Sequence, residues 1–321
     1  MDFSPVKLKA PIKDYLWGGT RLITDFNKET TLEKAAESWE LSTHPDGESV
    51  VLGGEFSGMK LSEYIKANGG DMCIGSRAAR FDFFPILIKL IDAKDNLSIQ
   101  VHPDDEYAMR VEGEYGKTEM WYIVDCDDDA YLYYGLNREV SKEEFEKRIK
   151  ENTLLEILNK VPVKKGDVFF IPSGTVHAIC SGILICEVQQ NSNTTYRVYD
   201  YDRRGADGKP RELHIEKALD VTERAVADIP YGNVGKVENT SFGSVRDLAE
   251  CELFTSKLIS LNGETDIFCQ DSFVSLAVLE GEISISCDNQ TIKATKGSSV
   301  FVPASLNTTL KGKAEILYSR V

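Results

Sequence analysis

Lys165-Gly-Asp-Val-Phe-Phe-Ile-Pro172 returns later in the chain as Lys296-Gly-Ser-Ser-Val-Phe-Val-Pro303. In both copies a run of β-branched and aromatic residues lies between a glycine and a proline six positions on. Glycine ahead of such a run suits a tight turn, and proline after it ends a strand at a sheet rim. Two copies predict two similar β-barrels. Five residues past the proline the first copy has His177 where the second has Thr308. One barrel is therefore expected to carry a ligand, and the other to have kept the fold for packing alone.

The surrounding sequence is consistent with this frame. Residues 83–91, 97–101, 119–124, 130–134, 167–171, 183–188, 253–260, 273–286 and 299–303 are rich in Ile, Val, Tyr and Phe and bounded by turn residues, as strands are. Helical patterning is confined. Ser141 followed by Glu144 has the spacing of a capping box, and Phe145, Ile149, Leu154, Leu155 and Leu158 extend an interrupted helical pattern over about 141–160. Weaker patterns cover 60–67 and 215–225. Residues 205–210 and 229–233 are loops by composition. The domain boundary is expected within 226–250, giving a unit over 1–235 and a second barrel over 236–321.

The chain has 321 residues, 42% hydrophobic and 28% charged, which describes a globular protein and excludes a disordered or collagen-like one. Its formal net charge of −15 opposes nucleic acid and anionic membrane surfaces as partners. An anionic small substrate would need its own local group of Lys and Arg. The first residues lack the apolar run of a signal peptide, and the longest apolar stretch, 83–91, is interrupted by Lys89, so no membrane span is expected. The seven cysteines, at 73, 126, 180, 186, 251, 269 and 287, form no C-x-x-C pair. They read as reduced thiols of a cytoplasmic protein, with no cysteine zinc site.

Four histidines stand in the whole chain: His44, His102, His177 and His214. Gln100 and His102 lie two apart on a strand and so share a face. Glu119 starts the next strand and His177 follows the strand 167–171. Two imidazoles, a carboxylate and an amide suit Zn²⁺ with open positions, and would also take Mn²⁺, Fe²⁺ or Co²⁺. The same residues read equally as a surface histidine before proline and a solvated glutamate.

At these positions the chain resembles a known family. SIQVHPDD (98–105), YGKTEMWYI (115–123), IPSGTVHAI (171–179) and NSNTTYRVYDYDR (191–203) are similar, in order, to the type I mannose-6-phosphate isomerases, in their short bacterial form. Leu16-Trp-Gly-Gly19, Ala36-Glu-Ser-Trp39 and Phe84-Pro-Ile-Leu-Ile-Lys89 fit the same pattern. The resemblance implies a mainly β fold of two cupin-type (jelly-roll) barrels with a smaller helical portion. It implies one Zn²⁺ per chain held by Gln100, His102, Glu119 and His177, and an active-site arginine at Arg197. It further implies an acidic pocket residue at Glu187, and lysines near the substrate at Lys89 and Lys117. Gly116-Lys-Thr-Glu119 departs from the His-Lys-Pro-Glu of longer members, so any role of that histidine is absent.

The implied reaction interconverts mannose 6-phosphate and fructose 6-phosphate by moving a proton between C1 and C2 through a cis-enediolate. Arg197 is expected to stabilise the oxyanion, and Glu187 to act as base with Lys117 as alternative relay. Lys89 and Ser98 would assist substrate binding. Glu187 also reads as the partner of a lysine across the sheet, and Lys89 as the partner of either a phosphate or a carboxylate. His44 is expected in a turn, His214 near the helix at 215–225, and Trp17 and Trp39 in the core or over the site. The implied partner is a phosphosugar, and the chain is expected as a monomer or weak homo-oligomer. Two other readings are kept: a non-catalytic sugar-phosphate-binding cupin, and an iron cupin oxygenase.

Overall fold

The computed structural model describes residues 3–205, 208–288 and 290–321, so two positions of the expected loop at 205–210 lie outside the described residues. Three antiparallel sheets of nine, six and five strands make up the fold. The six-stranded sheet is built around Ile86–Ala93, Glu119–Cys126 and Ile183–Gln190, and the five-stranded sheet around Ile99–Val101, Tyr131–Leu136 and His177–Ile179. Their facing side chains, among them Ile91, Trp121, Ile123 and Ile185 against Leu132, Tyr134 and Ile179, form one buried core. The first unit is thus a two-sheet jelly-roll sandwich.

The period of two in each strand divides its burial between two cores. Ile88 and Leu90 face a cluster shared with Phe273, Phe301 and Leu317 of the nine-stranded sheet, while Ile91 and Ala93 face the interior of the first unit. In the nine-stranded sheet, Thr255–Ile267, Val274–Cys287 and Thr308–Arg320 are long enough to curl around a core of their own, lined by Leu261, Leu276, Ile285 and Ile316.

Two differences from the sequence reading concern connectivity. Val6–Lys9 pairs with Ser299–Val302 on one side and Val50–Leu52 on the other, so the chain's first strands cover the edge of the C-terminal sheet. The expected helix over 141–160 ends early: the α-helix spans Lys142–Lys150, with Ser141 Oγ accepting from the Glu144 amide. Asn152 then takes a φ of 56°, a 3₁₀ turn follows at Leu154–Ile157, and Leu158–Pro162 pairs with Tyr131–Leu136. The leucines that resembled a helical stripe bury themselves through this change of course instead. The helices at 60–67 and 215–225 are observed as Leu61–Ala67 and Ile215–Val221.

Candidate metal centre

Two rows of cross-strand partners face each other inside the first unit. In the six-stranded sheet, Phe169 pairs with Trp121, Trp121 with Glu187, Glu187 with Lys89, and Lys89 with Trp39. In the five-stranded sheet, Arg197 pairs with Gln100, Gln100 with His177, and His177 with Tyr134. Directly opposed residues in an antiparallel pair point to the same face. In the first row the aromatic members flank the charged pair Glu187 and Lys89 on both sides.

His102, Glu119 and His177 come together, fully buried, with one ligand atom from each lying within 4.8 Å of the others. Each imidazole is turned by a backbone carbonyl. His177 Nδ1 lies 2.8 Å from Thr175 O and His102 Nδ1 lies 2.9 Å from Thr194 O. A carbonyl can only accept, so each Nδ1 carries the proton and each Nε2 presents its lone pair. His177 Nε2 faces Glu119 Oε1 at 3.1 Å, while His102 Nε2 accepts from Lys117 Nζ at 3.2 Å and lies 3.9 Å from Glu119 Oε2. Gln100 adjoins the group, its carboxamide 3.5 Å from His177 Nε2.

Electrostatics here suit a cation. Burial first, and then the Lys117 charge, lowers both imidazoles, His177 to about 3 and His102 well below its usual range, so both rings are neutral, the form that can bind a metal. Burial pushes the Glu119 carboxyl up to about 8 against the opposing pull of Lys117. Lys117 Nζ lies 2.6 Å from Glu119 Oε2, yet neither carboxylate oxygen has a well-formed hydrogen bond. A buried carboxylate in that state, beside two oriented imidazoles, has the donor chemistry and the unmet demand of a divalent-ion site. Carbonyls that pin Nδ1, here those of Thr175 and Thr194, are the outer partners such sites use to orient histidine.

Beside this cluster runs a buried chain of alternating charge. Glu37, Lys89, Glu187, Lys117 and Glu119 follow one another at ion-pair distances of 3.7, 3.4, 3.9 and 2.6 Å. Indole donors fix two of the carboxylates: Trp39 Nε1 to Glu37 at 2.7 Å and Trp121 Nε1 to Glu187 at 2.9 Å. Burial alone would raise Glu187, but Lys117 and Lys89 hold it below the usual carboxylate range. Of the two partners open for Lys89 in the sequence, the fold supplies carboxylates, and Glu187 does pair across the sheet. The chain sums formally to one negative charge, which a divalent ion would turn positive.

A cavity of about 280 Å³ opens onto this array, lined among others by Lys89, Ser98, Gln100, Lys117, Glu187 and Arg197. Arg197 is held by Ser98 Oγ at 3.2 Å and Glu212 O at 2.9 Å, and it has no carboxylate ion partner among the described residues. Burial, and then the neighbouring Arg211 charge, lowers its pKa, as expected of a cation short of counter-charge.

Several cavity residues escaped the sequence reading. Arg211 lines the wall while its guanidinium grips Asp200, with Nε 2.7 Å from Oδ2; Glu37 and Tyr15 join it. Their only sequence signal was charge or aromaticity in a loop or short strand. Trp17 lines the cavity, and Trp39 is wholly buried. His44 sits in a turn as expected and is buried there, with Nε2 3.3 Å from Glu114. His214 precedes the helix Ile215–Val221 and accepts from the Arg197 amide at 3.2 Å.

The family model described as phosphomannose isomerase type I, catalytic domain, matches residues 6–132, and that for the mannose-6-phosphate isomerase cupin domain matches 244–321. The chain is 40% identical over 323 residues to the Bacillus subtilis mannose-6-phosphate isomerase ManA, covering all of both. It is 36% identical to a Streptococcus mutans mannose-6-phosphate isomerase, covering 98% of each. A crystal structure of a mannose 6-phosphate isomerase from Bacillus subtilis superposes with a TM-score of 0.89 at 36% identity, over 99% of this chain and 100% of that one.

Proposed function

Because the chain belongs to the type I phosphomannose isomerase family, we propose that it interconverts D-mannose 6-phosphate and D-fructose 6-phosphate at this centre, with one Zn²⁺ held by Gln100, His102, Glu119 and His177. The observation that carries the reading is the buried pair of oriented imidazoles around an unsatisfied carboxylate, beside a cavity walled by cations. A divalent ion bound there supplies Lewis acidity toward sugar oxygens as negative charge develops on them.

The chain's own residues carry the rest. Isomerisation removes the proton alpha to the open sugar's carbonyl, passes through a cis-enediolate and returns the proton at the neighbouring carbon. Glu187 stays ionised between Lys89 and Lys117, the form in which a carboxylate accepts a proton, and Lys117 lies beside it to relay it. Arg197, kept in place by Ser98 and without an ion-pair partner among the described residues, supplies a charge-assisted hydrogen bond to the oxyanion. Arg211 adds a second guanidinium to the wall and Lys89 a third cation, a local positive field for a phosphosugar in a chain of net charge −15. Ser98 then assists the substrate through Arg197.

A coupled assay of mannose 6-phosphate conversion, run before chelation, after it and after Zn²⁺ is returned, tests this. Activity lost on chelation and restored by zinc is expected. Full activity in metal-free protein removes the metal from the mechanism, and no activity in the fully metallated protein removes the reaction.

A further inference from the structure

Glu114 lies outside the catalytic cavity, at a loop that leaves the helix Asp105–Val111 through Gly113, whose φ is 74°. Its two oxygens face different parts of the molecule. Oε2 lies 3.2 Å from the Asn193 amide, 3.2 Å from Thr194 Oγ1 and 3.4 Å from Ser192 Oγ, so one oxygen gathers three donors from consecutive residues. Oε1 lies 3.3 Å from His44 Nε2.

His44 is locked in the matching tautomer. The Asp46 amide donates to its Nδ1 at 3.1 Å, which leaves the ring proton on Nε2, the nitrogen nearest Glu114, at a separation too poorly aligned for a formed hydrogen bond. The turn that Glu114 gathers is the one whose Thr194 carbonyl accepts from His102 Nδ1. Asn193 and Thr195, on either side of that carbonyl, line the catalytic cavity. One carboxylate therefore fixes a segment that both orients an imidazole of the cluster and forms the cavity wall.

We propose that Glu114, held by His44, is a positioning residue: it clamps the 192–194 turn so that the Thr194 carbonyl holds His102 in the rotation and tautomer that metal binding requires. The proposal rests on the metal centre assigned above. Loss of the clamp frees the carbonyl, and the imidazole then pays an orientation cost on each binding event. Loss of an outer partner of this kind lowers metal affinity by roughly 10–100-fold.

The test measures Co²⁺ affinity of the metal-free full-length protein by competition with a chromophoric chelator, the visible spectrum of the Co²⁺-loaded protein, and the melting temperature without metal. Glu114→Ala is expected to weaken Co²⁺ binding roughly 10–100-fold and to alter the ligand-field bands, while the metal-free melting temperature stays close to that of the unaltered protein. Glu114→Gln keeps an oxygen for Asn193 and Thr194 but sets an amide donor or a turned acceptor against His44, so a smaller loss of about 10-fold, at the low end of that range, is expected. It decides the question if the alanine variant does not fold. Unchanged affinity and spectrum in the variant that folds overturns the clamp. Failure of the unaltered protein itself to bind Co²⁺ overturns the metal centre, and the clamp with it.

Discussion

The two copies of the glycine-to-proline segment, one on an edge strand and one flanked on both sides, share their local register and do different things. Gly166 donates its amide to Ile123 O and Gly297 to Val278 O, both at 2.8 Å, and both glycines have positive φ, 90° and 83°. Ile171 then pairs with Glu119, where its counterpart Val302 pairs with Val274. His177 pairs with Gln100, where Thr308 pairs with Ile267. Gln100, Glu119 and His177 of one unit thus stand at the register positions of Ile267, Val274 and Thr308 of the other. The frame is common to both, and the donor set alone separates a candidate metal centre from an apolar core.

That comparison breaks most readily at His177. His177→Ala should abolish metal retention and isomerase activity together, a larger effect than the roughly 10–100-fold cost of losing an outer partner. Metal analysis of the purified variant beside the coupled assay checks it; a variant that keeps stoichiometric metal would remove His177 from the ligand set. Arg197→Ala comes next. Turnover should fall roughly 10²–10³-fold, as for loss of an oxyanion donor, with metal content unchanged. Loss of the metal would move Arg197 from substrate to structure.

The glycines sharpen the comparison on stability. An alanine Cβ at Gly166 meets only Arg246 Nη1, at 4.0 Å, whereas at Gly297 it would lie 2.0 Å from Phe26 O. The second glycine is wedged because its unit is bolted to the first there: Lys28 Nζ bonds both Glu40, at 2.7 Å, and Gly297 O, at 2.6 Å, and Ser299 donates to the same Glu40. A left-handed φ costs alanine roughly 1–2 kcal/mol at either site, and the clash adds about 1–3 kcal/mol at Gly297. Denaturant unfolding should rank Gly297→Ala as the less stable variant, and equal midpoints would contradict this packing. Smallest is Thr308→Val, which replaces a buried hydroxyl that has no hydrogen-bond partner among the described atoms. Stability should change by less than about 1 kcal/mol, in the favourable direction, and activity should not change. A marked loss would reveal a role for the hydroxyl in the second unit.

Much of the site was legible because its signals are local. A period of two placed Gln100 and His102 on one face, and the histidine spacing after Pro172 carried the comparison with Thr308. Lys89 in an apolar strand announced a buried charge with a partner. Less was legible where partners come from afar. Arg211 looks like any charged loop residue until the chain's return brings it to the cavity, and His44 looks like any turn residue until Glu114 meets it. The leucines of 154–158 satisfied a helical pattern equally well as a 3₁₀ turn and a strand, because burial rewards the face and not the backbone path.

By itself, then, the amino-acid sequence determined the short strands, the repeated turn, the chemical types of the ligands and the family they resemble, since each is written in neighbouring residues. Tertiary structure alone decided which register rows oppose each other, which carbonyls turn the two imidazoles, and that Val6–Lys9 belongs to the C-terminal sheet. Those outcomes depend on pairings between segments far apart in the chain, where many registers satisfy the same local pattern and only simultaneous burial of both faces selects one.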